Sequence, residues 1–461
     1  MSSSSSASSS TASSSAHGGN GSGNAGTSRG VSGSRRGRGD FEGPSSSRHR
    51  RETNEVWPEP VVEALAAHVA IDAFHSLGRL AAAVALANVF QVCSTWRAVS
   101  RSDLLWNRLT RIIWGRSQLT RATWRDEYIF RHRTALNFHN GRSLHFTLHF
   151  DPSDVDAPVG LFCRCLTLSD LYLACGFADG TVRLFDLHTR LHVSTFRPPP
   201  RDHFGQFSRA VSGIIISDAR LIFATMDGDV HVAIINGDMH TLPGQVLDDG
   251  ALVEFTGCSR WWVGLYAGVP GRAFHIWDSN TEELVFVGGT LTDTEAVTGW
   301  HMLAEPINPI GRIRVTSQES AVACTSRREI VFDLRNQGLI LREEEHRRGL
   351  IETSLDVNSE AYVVAESRSG IATVRRVGTL EEICRFGLRQ RNVIVMGSMN
   401  QGYALMCAGG VIRVWEVEGG HYLYSFQERI SEVNAMVADD RHVAAAGRDT
   451  TIHLWDFGAE D

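Results

Sequence analysis

Lysine is missing from this chain: all 45 of its Lys/Arg positions are arginine. Long apolar runs are missing too. The longest, Ala81 to Phe90, contains Asn88 and falls well short of the roughly 20 residues a membrane helix requires. A spanning helix is therefore not expected. The first residues are serines rather than a charged start followed by an apolar stretch, so a secretory leader is not expected either, and the chain is predicted to stay inside the cell. Eight cysteines scattered over 461 residues are too sparse for a disulfide framework and suit a reducing compartment. Basic surface is scarce as well. The net charge is −7, and residues 1–54 hold seven Arg against Asp40, Glu42 and Glu52, so the remainder is more acidic than the whole. That balance excludes nonspecific binding to nucleic acid, which needs a dense basic surface.

Catalytic patterns are absent. There is no P-loop, the 19 histidines include no HExxH spacing, and the glycines fall at turns rather than between a strand and a helix. Cys163-x-Cys165 is too tight for a typical zinc pair, and in a strand residues two apart share a face, so core packing is expected there. Asp151, Asp154 and Asp156 begin like a calcium loop, but Pro152, Pro158 and the missing glycine and distal glutamate argue against one. The expectation is a non-enzyme with no cofactor and no metal.

What is present divides the chain. Residues 1–54 are Ser, Gly, Ala and Asn with arginine clusters at Arg35, Arg36, Arg38 and at Arg48, Arg50, Arg51. Such a segment has little to bury, so a disordered tail is predicted, its clusters serving as a nuclear address or as solubilising charge. Residues 55–115 read as a small helical unit. Trp57-Pro58-Glu59-Pro60 opens a helix with Val61, Leu65 and Val69 at spacing four; a second period runs from Leu80 through Val89, Val92, Trp96 and Val99. Ser102 and Asp103 cap a third helix carrying Leu105, Trp106, Leu109 and Ile112. Residues 116–143 form a helical connector ending near Asn140-Gly141.

From Leu144 to the end the period is two and the pattern repeats seven times. Equivalent positions fall at Phe185, Ala233, Trp277, Phe332, Arg375, Trp415 and Trp455, 40 to 55 residues apart, the range of four-stranded propeller blades. The last copy stops at its third strand, and the alternating run Leu144–Phe150 supplies the missing fourth, closing the ring and removing its free sheet edges. Residues 144–461 are therefore predicted to form an all-β seven-bladed propeller.

The endings Trp277-Asp278, Trp415-Glu416 and Trp455-Asp456 and the turn Ala178-Asp179-Gly180-Thr181 resemble WD repeats, although the Gly-His opening is missing and the turn Asp is clear only at Asp179, Asp227 and Asp449. The helical unit resembles an F-box: Trp57-Pro58, then Val92-Cys93-Ser94-Thr95-Trp96-Arg97, then Leu105-Trp106, with Trp where that motif begins on Leu and a longer Ala-rich middle. Residues 55–461 together resemble the plant F-box/WD-repeat floral regulators. The resemblance implies a nuclear, non-catalytic substrate-recognition subunit of an SCF-type cullin ubiquitin ligase that controls flower and organ development by removing a repressor. It also implies that Trp57, Pro58, Val61, Leu65, Val92, Cys93, Trp96, Leu105 and Trp106 lie at or support the surface for a Skp-family adaptor, which links to the cullin. The competing reading is a WD-repeat scaffold in a nuclear transcription complex, with the helices capping the propeller.

Strand order assigns the loops to two rims. One receives Arg327, Arg328, Arg347, Arg348, Arg368, Arg389 and Arg391, with Arg197, Arg201 and Arg209; the other receives Asp170, Asp218, Glu282, Glu283, Glu360, Glu381, Glu382, Asp439 and Asp440. A guanidinium-bearing rim suits an acidic or phosphorylated protein target, unless Glu343, Glu344 and Glu345 neutralise it as an ordinary solvated face. Residues 290–311 form an insertion, either a binding loop or a loose one. The missing lysine acquires a meaning beside a ligase: ubiquitin is joined to an amine, and guanidinium is a poor nucleophile. Were Arg three times as probable as Lys at every basic position, finding no Lys would have odds on the order of one in several hundred thousand. Codon bias with chance is the alternative account.

Overall fold

The structure, a computed structural model, describes residues 57–150, 161–199, 204–217, 219–305, 310–345, 352–366, 369–389 and 395–459. The predicted tail, the Asp151–Asp156 pattern, and Arg201, Asp218, Arg347, Arg348, Arg368 and Arg391 lie outside them.

Helix α1 (Glu59–Leu77) has Pro60 in its first turn, where a missing N–H costs nothing, and stops at Gly78, whose φ of 85° few other residues tolerate. Helix α2 (Arg79–Phe90) packs against it. Both are alanine-rich, so small side chains at Ala66, Ala67, Ala70 and Ala82 bring the two backbones close around Val62, Leu86 and Val89. The predicted second helical period is broken: the chain leaves α2 at Gln91 and re-enters a short α3 (Ser94–Val99) after the extended Cys93. Ser102 caps α4 (Asp103–Trp114) by accepting a hydrogen bond from the Leu105 amide. Its hydroxyl also donates to Glu63, tying α4 to α1 at 2.9 Å. The connector helix α5 (Trp124–Asn140) starts later than its sequence suggests, capped by Thr123, and ends at Gly141 in the left-handed region.

Seven four-stranded antiparallel sheets follow, each meandering from an inner to an outer strand. The inner strands of successive sheets contact one another all the way round, Cys163–Leu168 meeting both Val211–Ile216 and Val433–Ala438. The ring is closed as predicted. Strand β1 (Leu144–Leu148) pairs with Ile452–Asp456 in the register Leu144 to Asp456 and Leu148 to Ile452, so the two ends of the propeller sequence share blade 7.

The aspartate ending the third strand of four blades has a local task. Asp186, Asp278, Asp333 and Asp456 each accept a hydrogen bond from the backbone N–H two residues on, which in the first three folds the turn to the outer strand. Blade 5 carries Arg375 where five of the other six blades have an aromatic and blade 2 has Ala233. There Arg375 donates to buried Glu329 of blade 4 at 3.1 Å, and the Tyr362 hydroxyl donates to the same carboxylate at 2.6 Å; an ion pair between blades replaces a ring. The Cys163/Cys165 pair is not on one face: a bulge between them sends Cys163 into the core with Leu148 and Phe177 and Cys165 toward Val211. All eight cysteines are free thiols.

The insertion forms an ordered helix, Asp293–Met302, started by a reciprocal capping box between Thr292 and Glu295. Trp300 donates to the Gly268 carbonyl of blade 3, and Glu295 accepts from the Ser326 amide of blade 4. It is a brace between two blades.

Candidate functional site

Two surfaces follow from this architecture. The first is on the helical unit. Trp57 is 50% exposed and Val61, one turn further on, 46%. Val92 is 61% exposed and Cys93 beside it is exposed. Trp96 is half-buried and its ring centroid lies 6.2 Å from that of Trp57. Trp57 therefore meets the Val92–Trp96 segment through Trp96, and exposed Pro58, exposed Val61 and half-buried Leu65 follow Trp57 along the chain. The Cys93 thiol is held below its ordinary value by the Trp96 backbone N–H at the start of α3.

Leu105 and Trp106 are elsewhere: of the residues expected to lie at or support that surface, these two are not on it. They are 1% and 6% exposed and belong to the core of the helical unit. Trp106 lies between Phe90 and Tyr128 and donates its indole N–H to the Ser100 carbonyl at 2.7 Å. On an amphipathic helix, residues three and four apart share the buried face, and Leu105, Trp106, Leu109 and Ile113 form it. Their neighbour Leu104, which motif reasoning passed over, is 77% exposed. Leu105 and Trp106 thus support the surface from beneath.

The second surface is set by where the helices dock. Phe138 of α5 is stacked between Tyr403 and Phe457, at 4.9 and 4.2 Å; Asn137 donates to the Phe457 carbonyl and Tyr424 to that of Phe138. Arg79 pairs with Asp440 at 3.1 Å and Arg116 with Asp170 at 2.8 Å. The helical unit therefore sits on the rim predicted to be acidic, over blades 6, 7 and 1, and part of that acidity serves to hold it. Buried Asp456 accepts both arms of Arg441, which, with His442, outweighs the cost of burial and keeps this carboxyl below its ordinary value.

The opposite rim carries the described arginines of the sequence reading. Arg327 is exposed on the turn of blade 4, and Arg328 beside it pairs loosely with Glu343 at 3.5 Å. Arg389, between blades 5 and 6, is exposed with its guanidinium 5.2 Å from the Tyr422 ring. Glu344 pairs with Arg375 rather than with a rim arginine, so neutralisation by the Glu343–Glu345 run is partial. Arg197 is exposed and Arg209 half-buried on the same rim.

Sequence reading missed a third group, on the inner strands: Arg164, Glu254, Arg312, Arg314 and Asp356. Glu254 is buried and accepts from the Ile313 amide, from Arg312 at 3.2 Å and from Arg314. Burial pushes its carboxyl up, but the two guanidinium groups outweigh that and leave it below the ordinary value. The available signal was charge interrupting apolar inner strands, as in Cys163-Arg164-Cys165 and Arg312-Ile313-Arg314.

No protein-family profile matches the chain. A curated relative, "Transcriptional regulator STERILE APETALA" of Arabidopsis thaliana, is 64% identical over 432 residues, which span 91% of this chain and 96% of the relative. Among solved structures, the β-propeller domain of Cps50 (Swd1) from Myceliophteria thermophila is 15% identical and superposes with a TM-score of 0.51 over 68% of this chain and 99% of that one. That likeness concerns the fold alone.

Proposed function

Because the chain belongs to the family of the transcriptional regulator STERILE APETALA, we propose that it regulates transcription by acting as the F-box subunit of an SCF-type cullin ubiquitin ligase. In this reading it works in the nucleus on flower and organ growth, and it contributes binding rather than catalysis. The helical unit engages a Skp-family adaptor, and the propeller presents a regulatory protein for ubiquitination on its distal rim, where Arg327, Arg328 and Arg389 suit an acidic or phosphorylated segment. Arg347, Arg348, Arg368 and Arg391 are assigned to the same surface from sequence alone.

The observation that carries this reading is the contact of exposed Trp57 with Trp96, with exposed Val61 and Val92 on the same two segments. Helix α2 is apolar nearly all round, with only Arg79 and Asn88 polar, a pattern expected of a buried helix, yet Val84 on it, Val61 on α1 and Val92 just past its end are exposed. A partner covering that face resolves the mismatch. The helices also leave the arginine-bearing rim on the opposite side of the ring, so client and adaptor do not compete for one surface.

The test is co-purification. The full chain is expected to retain a Skp-family adaptor, and Trp57→Ala with Val61→Ala and Val92→Ala to lose it with unfolding unchanged. A variant of Leu105 and Trp106 is unsuitable because it removes core. The relative's designation as a transcriptional regulator also fits the second reading, a propeller scaffold in a transcription complex; adaptor absent while chromatin proteins co-purify selects that one.

A further inference from the structure

Arginine stands at all 45 basic positions, and the fold accounts for only part of that. Some positions need the planar fork. Arg441 holds both oxygens of Asp456 at 2.8 Å. Buried Arg183 lies over the Phe150 and Phe177 rings at 4.4 and 4.5 Å, and Arg375 spans Glu329 and Glu344. A compact ammonium group does not replace guanidinium in these settings. At other positions it would serve. Arg385 reaches Glu382, and Arg448 reaches Glu432, through one nitrogen each, from side chains 55% and 75% exposed; Arg133 of α5 is exposed as well. Exposed pairs of this kind add little to stability and suit either cation. Base composition is a poor account of the exclusion. Lysine and asparagine codons share their first two bases, so a bias that expelled lysine would thin asparagine, yet asparagine occurs 15 times.

What lysine has and arginine lacks is a reactive amine. In ubiquitin transfer a neutral lysine Nζ attacks the carbonyl carbon of the thioester that joins the ubiquitin C-terminus to a conjugating enzyme's cysteine. The C–N bond forms, the C–S bond breaks, the thiolate leaves and the amine gives up a proton, with no change of oxidation state. Lysine, with a pKa of about 10.4, loses its proton often enough to react. Guanidinium, with a pKa above about 12, stays charged. We propose that this chain is an acceptor-free receptor: side-chain amines are excluded from it so that ubiquitin passes to the bound client and not to the protein that holds the client. This inference rests on the ligase reading above. It covers every face alike, since the helical unit, the outer edge of the blades and the distal rim each expose arginine, as at Arg133, Arg385 and Arg327, where lysine would be open to attack.

Reconstitution tests it, with the full chain, a Skp-family adaptor, a cullin and a conjugating enzyme charged with ubiquitin. The parent is expected to gain no ubiquitin on its side chains. Arg133→Lys, Arg385→Lys and Arg448→Lys combined are expected to leave the unfolding midpoint unchanged and to place ubiquitin on the installed lysines, located by mass spectrometry. In cells the same variant should have a half-life at least twofold shorter, restored when the cullin is inactivated. Glutamine at the three positions should leave the half-life as in the parent. A parent modified as fast as the lysine variant, on serine, threonine or cysteine, overturns the proposal. So does a half-life shortened equally by glutamine, which would trace the effect to lost ion pairs rather than gained amines. A lysine variant that retains the adaptor and stays unmodified overturns this inference alone, whereas a parent that fails to retain the adaptor overturns the ligase reading and this inference with it.

Discussion

Trp57 and Trp106 belong to one motif-like pattern but occupy different environments, and their substitutions should separate accordingly. Trp106→Ala removes a ring packed against Phe90 and Tyr128 and is expected to cost about 3–5 kcal/mol in the stability of the helical unit, as for other buried aromatics. Hydrogen exchange of the α4 amides checks it. Trp57→Ala is expected to change the same amides by only about 0.5 kcal/mol, because a surface side chain has little packing to lose, while weakening capture of the adaptor. Residue-scale structure also ranks the tests of lysine avoidance. Arg190 lies with its guanidinium 3.4 Å from the Phe146 ring, whereas the Arg335 side chain is exposed at the edge of blade 4, where it pairs with Glu319. Arg335→Lys is therefore expected to shorten the half-life of the chain in cells with an active cullin, measured by chase after blocking translation. An unchanged half-life would favour codon bias.

At the scale of elements, the closure strand is one place where the fold responds to pH. His145 of β1 and His453 of its partner strand stack and share a hydrogen bond of 3.0 Å, with Trp455 alongside. Burial, and then the neighbouring His145, hold the His453 pKa below its ordinary value, against weaker pulls from Asp449 and Glu428. A histidine with a depressed folded pKa takes up its proton more readily when unfolded, so stability rises with pH through this window and falls as pH drops below about 6.5. Exchange of the β1 amides, corrected for intrinsic rate, should accelerate from pH 7.5 to 5.5, and His453→Phe should flatten that dependence. The joint before β1 is equally specific. Gly141 has φ 69°, and a Cβ there would meet the Tyr424 ring at 2.9 Å. Gly141→Ala is expected to lower the unfolding midpoint through about 1 kcal/mol of backbone strain plus displacement of that ring. The strand itself was legible from its alternation. The break between α2 and α3 was not, because the apolar spacing continues across Gln91–Cys93 and only packing against α1 decides where the chain turns.

For the whole molecule, the question is what fixes the helices on the ring. The Arg79–Asp440 and Arg116–Asp170 pairs are partly or largely exposed, and such pairs contribute at most about 1 kcal/mol each. Phe138, buried between Tyr403 and Phe457, contributes more through apolar area, roughly 1.5–3 kcal/mol. Charge reversal at Arg79 and Arg116 is thus expected to leave the helices docked, while Phe138→Ala releases them. Small-angle scattering and protease cleavage near Gly141 distinguish the two outcomes. Docking on this rim separates the Trp57 cluster from the distal rim and gives the proposed adaptor and client independent access.

The blade count, the closure by Leu144–Leu148 and the helical character of residues 59–140 were fixed by the order of residues alone, because alternation, turn chemistry and repeat length are local properties that survive in any single stretch of chain. Three matters were decided only in three dimensions. Leu105 and Trp106 turned inward because α5 covers them, Arg375 found Glu329 in the next blade, and Arg164 came to share the channel with Glu254 and Arg312. Each depends on which distant side chain stands opposite, and in a closed ring that is set by the stacking of blades rather than by neighbours in sequence.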